Sequence, residues 1–268
     1  MRGFSLDCLT LPDVTPVELI RIAAETGYEA VSLWVQPPWL FEPMRVDRSR
    51  GGEITGALSG HGITLGNLEV FNLNTDAPIE DYEPAIAFGA SLGARTATAI
   101  DFGERRWDIA ERIVAFQTLC NRHGIATLIE PIAMGNVRTL HDGADLIAAA
   151  GVDARLVLDC LHFVRTGSSI DMLRTISADR IGYIQLCDGP AVIAEDQRGA
   201  EATANRLYPG EGEFPLADIL SALPHDVTVG IETPNAPRQE RGISPADRAR
   251  QALRAAQTLM EQVEGRTR

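Results

Sequence analysis

Short apolar runs recur along this chain, and each is followed by a stretch in which apolar positions return every three or four residues. The runs read as strands and the longer-period stretches as helices. On this pattern, strands are predicted at 4–10, 30–35, 64–71, 96–101, 126–131, 154–159, 181–186 and 227–232. Between them, Ile109, Ile113, Phe116 and Cys120 form one helical stripe, and Ala249, Leu253, Ala256, Met260 and Val263 form another. Thr15-Pro16-Val17-Glu18 combines a capping box with proline at the first helical position, and Ser244-Pro245 opens the last helix. Gly27, Gly62, Gly93, Gly124 and Gly151 each close a helical pattern just before an apolar strand, where a left-handed residue ends a helix without steric cost.

A unit of about 30 residues holding one strand and one helix, repeated along a chain, builds a parallel sheet. Eight such units predict a (β/α)8 TIM barrel that takes residues 1–268 as a single domain. The competing arrangement, an open doubly wound sheet, would carry a glycine-rich dinucleotide turn after its first strand, and DCLTLPD stands there instead. One interval breaks the rhythm. From Gly189 to about Glu213 no clear helix is predicted, and Gly-Pro and Pro-Gly-Glu-Gly mark the two ends as turns. Residues 189–213 follow the seventh strand and are expected to form a lid-like loop over the catalytic face, with a mobile decoration as the alternative.

Composition narrows the function classes. Hydrophobic residues make up 45% of the chain, enough for one large core. A net charge of −13 and a pI near 4.8 argue against nucleic acid and anionic membranes. No apolar run approaches the roughly 20 residues of a membrane helix, and Met1–Thr10 lacks the apolar region of a secretory signal. Cys8, Cys120, Cys160 and Cys187 lie far apart, so reduced thiols in a cytoplasmic protein are expected. All 24 basic residues are arginine, which removes Schiff-base chemistry through lysine.

The candidate chemistry lies at strand ends, where parallel barrels place reacting groups. ATLIEPI ends on Glu130, ARLVLDC on Asp159 and VTVGIETP on Glu232, while IGYIQLCDG carries Gln185 and then Asp188. Each alone also reads as a satisfied buried polar group. Adjacent strand ends lie about 5 Å apart, so side chains on successive strands can converge. Carboxylates gathered in a dry place either rise in pKa or hold a cation. A divalent ion bound by Glu130, Asp159, Gln185 and Glu232 is therefore predicted, and an all-oxygen set suits Mg²⁺ or Mn²⁺. Such an ion would make a C–H beside a bound carbonyl more acidic. Arg206 precedes the PGEG turn and is a candidate for a substrate carboxylate, phosphate or hydroxyl, with a solvated lid arginine as the alternative. Arg165 carries the same two readings. Trp34 and Trp39 read as an apolar wall or as packing under a loop. Glu69 and Asp101 are candidate polar contacts, and Asp188 is placed to orient a ligand.

LIEP, DCLH, QLCD, PGEG and GIE, in this order and spacing, resemble the xylose isomerase-like barrels of the sugar phosphate isomerase/epimerase superfamily over nearly the whole chain. The resemblance implies a divalent-metal-dependent isomerase or epimerase acting on a sugar or similar polyhydroxy-carbonyl substrate through an enediolate. In the superfamily's ketose 3-epimerases the metal is held by Glu, Asp, His and Glu, which fall on Glu130, Asp159, position 185 and Glu232. Glu130 and Glu232 correspond to the two acid/base residues that face opposite sides of the substrate. His162 matches the histidine of the DxxH motif that contacts substrate, with a local hydrogen-bond partner as the alternative. Gln185 departs from histidine and is similar to 3-dehydroshikimate dehydratases, which keeps a metal-dependent lyase as the second reading. Endonucleases of this fold use several histidines, and here only His162 stands at a predicted strand end. A non-catalytic binding barrel is the third reading. The expected partner is a small polyhydroxy or keto-acid substrate, with no nucleic acid and no membrane, and a homo-oligomer is left open.

Overall fold

The eight apolar segments form eight strands: β1 (Phe4–Leu6), β2 (Ala30–Trp34), β3 (Thr64–Asn72), β4 (Thr96–Ile100), β5 (Ala126–Ile129), β6 (Arg155–Asp159), β7 (Ile181–Leu186) and β8 (Val229–Ile231). The computed structural model describes residues 3–266. Met1 and Arg2, within the segment read as lacking a secretory signal, lie outside the described residues. Each strand pairs in parallel with its neighbours in chain order, and β8 closes onto β1. The chain is a (β/α)8 TIM barrel. Its strands are apolar nearly throughout because the inner face fills the barrel and the outer face lies under helices.

The helices begin and end where local chemistry places them. Thr15 accepts from the Glu18 backbone N–H while the Glu18 side chain accepts from Thr15, which closes the predicted capping box on Pro16–Thr26. The five glycines read as helix stops all have positive φ, from 63° at Gly151 to 96° at Gly27. The last helix, Pro245–Arg266, buries Ala249, Leu253, Ala256 and Val263 against Pro16–Thr26 and Leu216–Ser221. Among the described residues no helix is long and apolar enough to cross a membrane. All four cysteines are free and buried.

Five strands end before their predicted ranges, and at β1, β5 and β8 the difference matters at the site. β1 stops at Leu6, and Cys8–Thr10 turns into a buried 3-10 turn. There the Cys8 N–H donates to Ser32 Oγ at 3.0 Å and Thr10 Oγ1 to the Ile231 carbonyl at 2.6 Å. Asp7 is therefore a strand-end residue, not a mid-strand one. β5 stops at Ile129 and β8 at Ile231, so Glu130 and Glu232 are the first residues past their strands.

The segment 189–213 was expected to lack a helix, and it contains one, Arg198–Ala204. Its buried charged residue is Glu201, which receives two bonds from Arg165 at 2.7 and 2.5 Å. That partner lies 36 residues upstream, so periodicity within RGAEATA could not reveal what holds the helix. Backbone bridges Asp188–Leu207 and Asn205–Asn235 fasten the return of the segment. Asp188 organises the turn that follows: its carboxylate accepts from the N–H groups of Gly189 (2.8 Å), Gly210 (2.9 Å) and Phe214 (3.0 Å). A Cβ at Gly212 would stand 2.3 Å from the Gly189 carbonyl oxygen, so this turn admits only glycine there.

Candidate active site

A cavity of about 310 Å³ opens at the C-terminal end of the barrel. Glu69, Glu130, His162, Gln185, Arg206 and Glu232 bring polar atoms to it from five strand ends and the lid-like segment. Trp34 lines its wall, and its indole N–H is buried without an acceptor. Trp39, the other tryptophan read as wall, instead donates to the Trp34 carbonyl at 3.2 Å and stacks under Arg45, so it packs beneath a loop.

Arg206 is the hub of the charged cluster. It is 2% exposed, and its Nη1 donates to Asp159 Oδ2 at 2.7 Å while Nη2 lies 3.0 Å from Glu232 Oε2. Its Nε donates to the Ala202 carbonyl at 2.9 Å, which ties the guanidinium to the Arg198–Ala204 helix. Asp159 ends β6 and caps the helix Cys160–Arg165, its Oδ1 accepting from the N–H groups of Leu161 (2.7 Å) and His162 (3.3 Å). His162 Nε2 stands 3.8 Å from Glu130 Oε1, and its Nδ1 is buried without a partner. Gln185, level with Asp159 in the β6–β7 register, donates Nε2 to Glu232 Oε1 at 3.1 Å. Its Oε1 is buried with no partner.

A residue that the sequence reading passed over completes the cluster. Asp7 is fully buried, and its Oδ1 accepts from Ser5 Oγ at 3.0 Å and from the Tyr183 hydroxyl at 2.6 Å. Oxygen atoms of Asp7, Glu69 and Glu232 lie within 4.8 Å of one another, as do ligand atoms of Glu130, Asp159 and His162. The signal for Asp7 was the same as for the others, a carboxylate ending an apolar strand. Drawing β1 through residue 10 hid it.

Asp7, Glu69, Glu130, Asp159 and Glu232 are thus buried around a single guanidinium. Burial, then the charges of Glu69 and Glu232, push Asp7 well above the usual carboxylate range. Burial, then Asp159 and Glu232, do the same to Glu130. Glu232 rises to about 8 through burial, although Arg206 opposes the shift. Burial would raise Asp159 too, but Arg206 and the Leu161 N–H outweigh it and hold this carboxyl below its ordinary value. Burial lowers His162 to about 4, so the imidazole is neutral near pH 7.

These residues fit a divalent cation. The acids outnumber Arg206, the arginine among them, so ionising them together demands a further positive charge. Gln185 Oε1 is an orphaned carbonyl oxygen in their midst, a donor type that hard cations take.

Other sequence candidates have structural work. Arg165 straps Glu201 and the carbonyls of Pro190 and Ala191 and does not line the cavity. Asp101 accepts from Asn136 Nδ2 at 2.8 Å and braces the loop after β5. Asp188 holds the turn described above and touches none of the cluster's acids.

A profile of the xylose isomerase-like TIM barrel matches residues 20–259. The chain belongs to the xylose isomerase-like TIM barrel family. No curated protein matches it by sequence. Solved structures similar to this family member include the IolI protein with a bound zinc atom, at 16% identity and TM-score 0.75, covering 98% of each chain. L-ribulose 3-epimerase aligns at 14% identity and TM-score 0.72, over 100% of this chain and 97% of its own. The probable 3-DHS dehydratase AsbF of Bacillus anthracis, involved in petrobactin synthesis, aligns at 15% identity and TM-score 0.74, over 95% and 98%. At these identities the likeness is one of fold.

Proposed function

We propose that this family member is a divalent-metal-dependent isomerase or epimerase that acts on a small hydroxy-carbonyl substrate through an enediolate. The observation that carries the reading is the pair Glu130 and Glu232. They stand past the ends of β5 and β8, both face the cavity, and burial raises both carboxyls, Glu232 to about 8. A raised carboxyl holds its proton more readily than a free one, and two carboxyls on one cavity can take a proton from one face of a carbon and return one to the other. Glu130, Asp159, Gln185 through Oε1, and Glu232 are the residues that would hold the ion. A divalent ion supplies Lewis-acid polarisation of a carbonyl and positive charge to offset the enediolate.

The other residues position and shield. Arg206 anchors Glu232 through Nη2 and lines the cavity, where it can donate to a substrate oxygen. His162, neutral near pH 7 and 3.8 Å from Glu130, can offer a hydrogen bond to substrate without adding charge. The helix Arg198–Ala204 brings Ala202 and Thr203 to the cavity and screens it from water. The zinc in the IolI structure and the epimerase and dehydratase among structures of this fold support the reading. Free, buried cysteines go with a cytoplasmic setting.

Exchange of substrate hydrogen with deuterated water, across ketoses and dehydroshikimate, with Mn²⁺ and with chelator, tests the proposal. Exchange with inversion that needs the ion is expected. Glu130→Gln and Glu232→Gln should each lower turnover by about 10²–10⁴-fold, the usual contribution of a general acid or base. Loss of water without inversion would replace the epimerase with the lyase that Gln185 keeps in view. No exchange by the ion-loaded protein on any hydroxy-carbonyl compound would overturn both.

A further inference from the structure

The floor of the cavity is polar, but its wall is not. Leu9, Val70, Ile100 and Ile132 line it beside Trp34, and Leu40, Phe102 and Met134 stand at its mouth, 48%, 47% and 39% exposed. Apart from the Trp34 indole N–H, which has no acceptor, the polar side chains of the wall are bonded within the protein. Gln36 Nε2 donates to the Val70 carbonyl (2.9 Å), the Tyr82 hydroxyl to the Asn72 carbonyl (2.7 Å) and Thr203 Oγ1 to the Gly199 carbonyl (3.0 Å). Asn72 donates Nδ2 to the Phe102 carbonyl at 3.0 Å, while its Oδ1 accepts from the N–H groups of Asn74 and Phe102, each at 3.1 Å. A polyol chain rising from the floor would lose water and meet few free partners, and unpaired buried hydroxyls are costly.

Charge sharpens the point. Among the described residues Arg206 is the one arginine that lines the cavity, and it is already paired with Asp159 and Glu232. Arg48 and Arg106 line a neighbouring depression instead, and Arg106 faces Asp76 at 3.3 Å. Nothing along the wall would neutralise a phosphate or carboxylate on the far end of a substrate.

We propose that the substrate is an uncharged hydroxy-carbonyl compound with an apolar body, an aryl or alicyclic ketol, and not a free sugar, sugar phosphate or keto acid. This deepens the function proposed above and rests on it: the polar head meets Glu130, Gln185 and Glu232, and the body fills the space between Trp34, Phe102 and Met134. A cavity of about 310 Å³ is of the size that encloses such a molecule.

The test is a series of α-hydroxy ketones with one head and varied tails: alkyl chains of rising length, cyclohexyl, phenyl, polyol and phosphorylated polyol. Binding to the Mn²⁺-loaded protein is followed by tryptophan fluorescence, and turnover by deuterium exchange. Affinity should tighten about fourfold for each of the first added methylenes, the factor expected for burying a CH₂ group. The polyol and phosphorylated tails should bind at least about tenfold more weakly than phenyl. Phe102→Ser and Met134→Ser, at exposed positions where folding is not at stake, should flatten the dependence on chain length. A flat series, tighter binding of the polyol or phosphorylated tail, or no binding of any member overturns the inference. If the apolar series binds with the expected slope but no head exchanges hydrogen, the wall's preference stands and the proposed chemistry falls. If polyols exchange rapidly and the apolar ketols do not, the chemistry stands and this inference falls. Sedimentation of Phe102→Ser guards against a second copy as the occupant: conversion of a dimer to a monomer with the slope intact would assign the patch to self-association and reject the ketol.

Discussion

Replacing Arg206 with methionine removes the only guanidinium that the described residues place inside the cluster of acids, while keeping much of the side-chain volume. Arg206 and its partners Asp159 and Glu232 are 2%, 0% and 6% exposed at the side chain, so water cannot take over the lost charge. Breaking a buried ion pair from one side typically costs about 3–5 kcal/mol. For a chain of this size that is a fall in Tm of about 5–9 °C. The control is Arg165→Met. It breaks an equally buried bridge, Arg165–Glu201, with exposures of 5% and 1%, but touches none of the cluster acids. Thermal melts of both variants and the parent protein, at pH 8 with chelator and with Mn²⁺, separate the two roles. Both variants should be destabilised in chelator. Mn²⁺ should raise the Tm of Arg206→Met by more than that of the parent, because the acids then lack their internal cation, and should raise Arg165→Met only as much as the parent. At pH 6 the deficit of Arg206→Met should shrink, since Glu232, with its pKa near 8, is then largely protonated. A loss below about 1 kcal/mol, as for an exposed pair, would refute the argument. So would an equal response of all three proteins to Mn²⁺.

Two further outcomes are expected. The ion-free protein should weaken as pH rises: Glu232 shifts from 4.5 when unfolded to about 8 when folded, so its favourable contribution is complete below pH 4.5 and is lost through about pH 8. The slope is about 1.4 kcal/mol per pH unit between those limits, steeper if Glu130 follows, and melts in chelator that are flat from pH 5 to 9 would contradict it. Gly212→Ala should cost about 1–3 kcal/mol in urea unfolding, because its Cβ would stand 2.4 Å from Asp188 Oδ1 and 2.3 Å from the Gly189 carbonyl; unchanged stability would show that the turn can move.

The barrel was legible because parallel strands are buried on both faces and so appear as unbroken apolar runs. Glu130, Asp159, Gln185 and Glu232 were legible because each interrupts such a run. Asp7 was lost through one boundary: apolar Leu9 and Leu11 extend the run past the true end of β1, though they pack in a turn and not a strand. The pairings of Arg206 and Arg165 were invisible because each joins residues tens of positions apart across different loops. Leu40, Phe102 and Met134 were passed over for another reason. They sit in loops, where no period marks which way an apolar side chain points.

Asp159 couples scaffold to the proposed chemistry in a way that shapes how such a barrel can diverge. One of its oxygens caps the helix Cys160–Arg165 and the other holds Arg206, so a lineage that abandoned catalysis would still lose folding stability by discarding it. An aspartate at this position is therefore a mark of the architecture and carries little information about turnover. Gln185 is the opposite case. Its carbonyl oxygen has no partner and its Nε2 bonds only the side chains of Glu232 and Glu69, so position 185 can change with the contents of the cavity while the barrel stays the same.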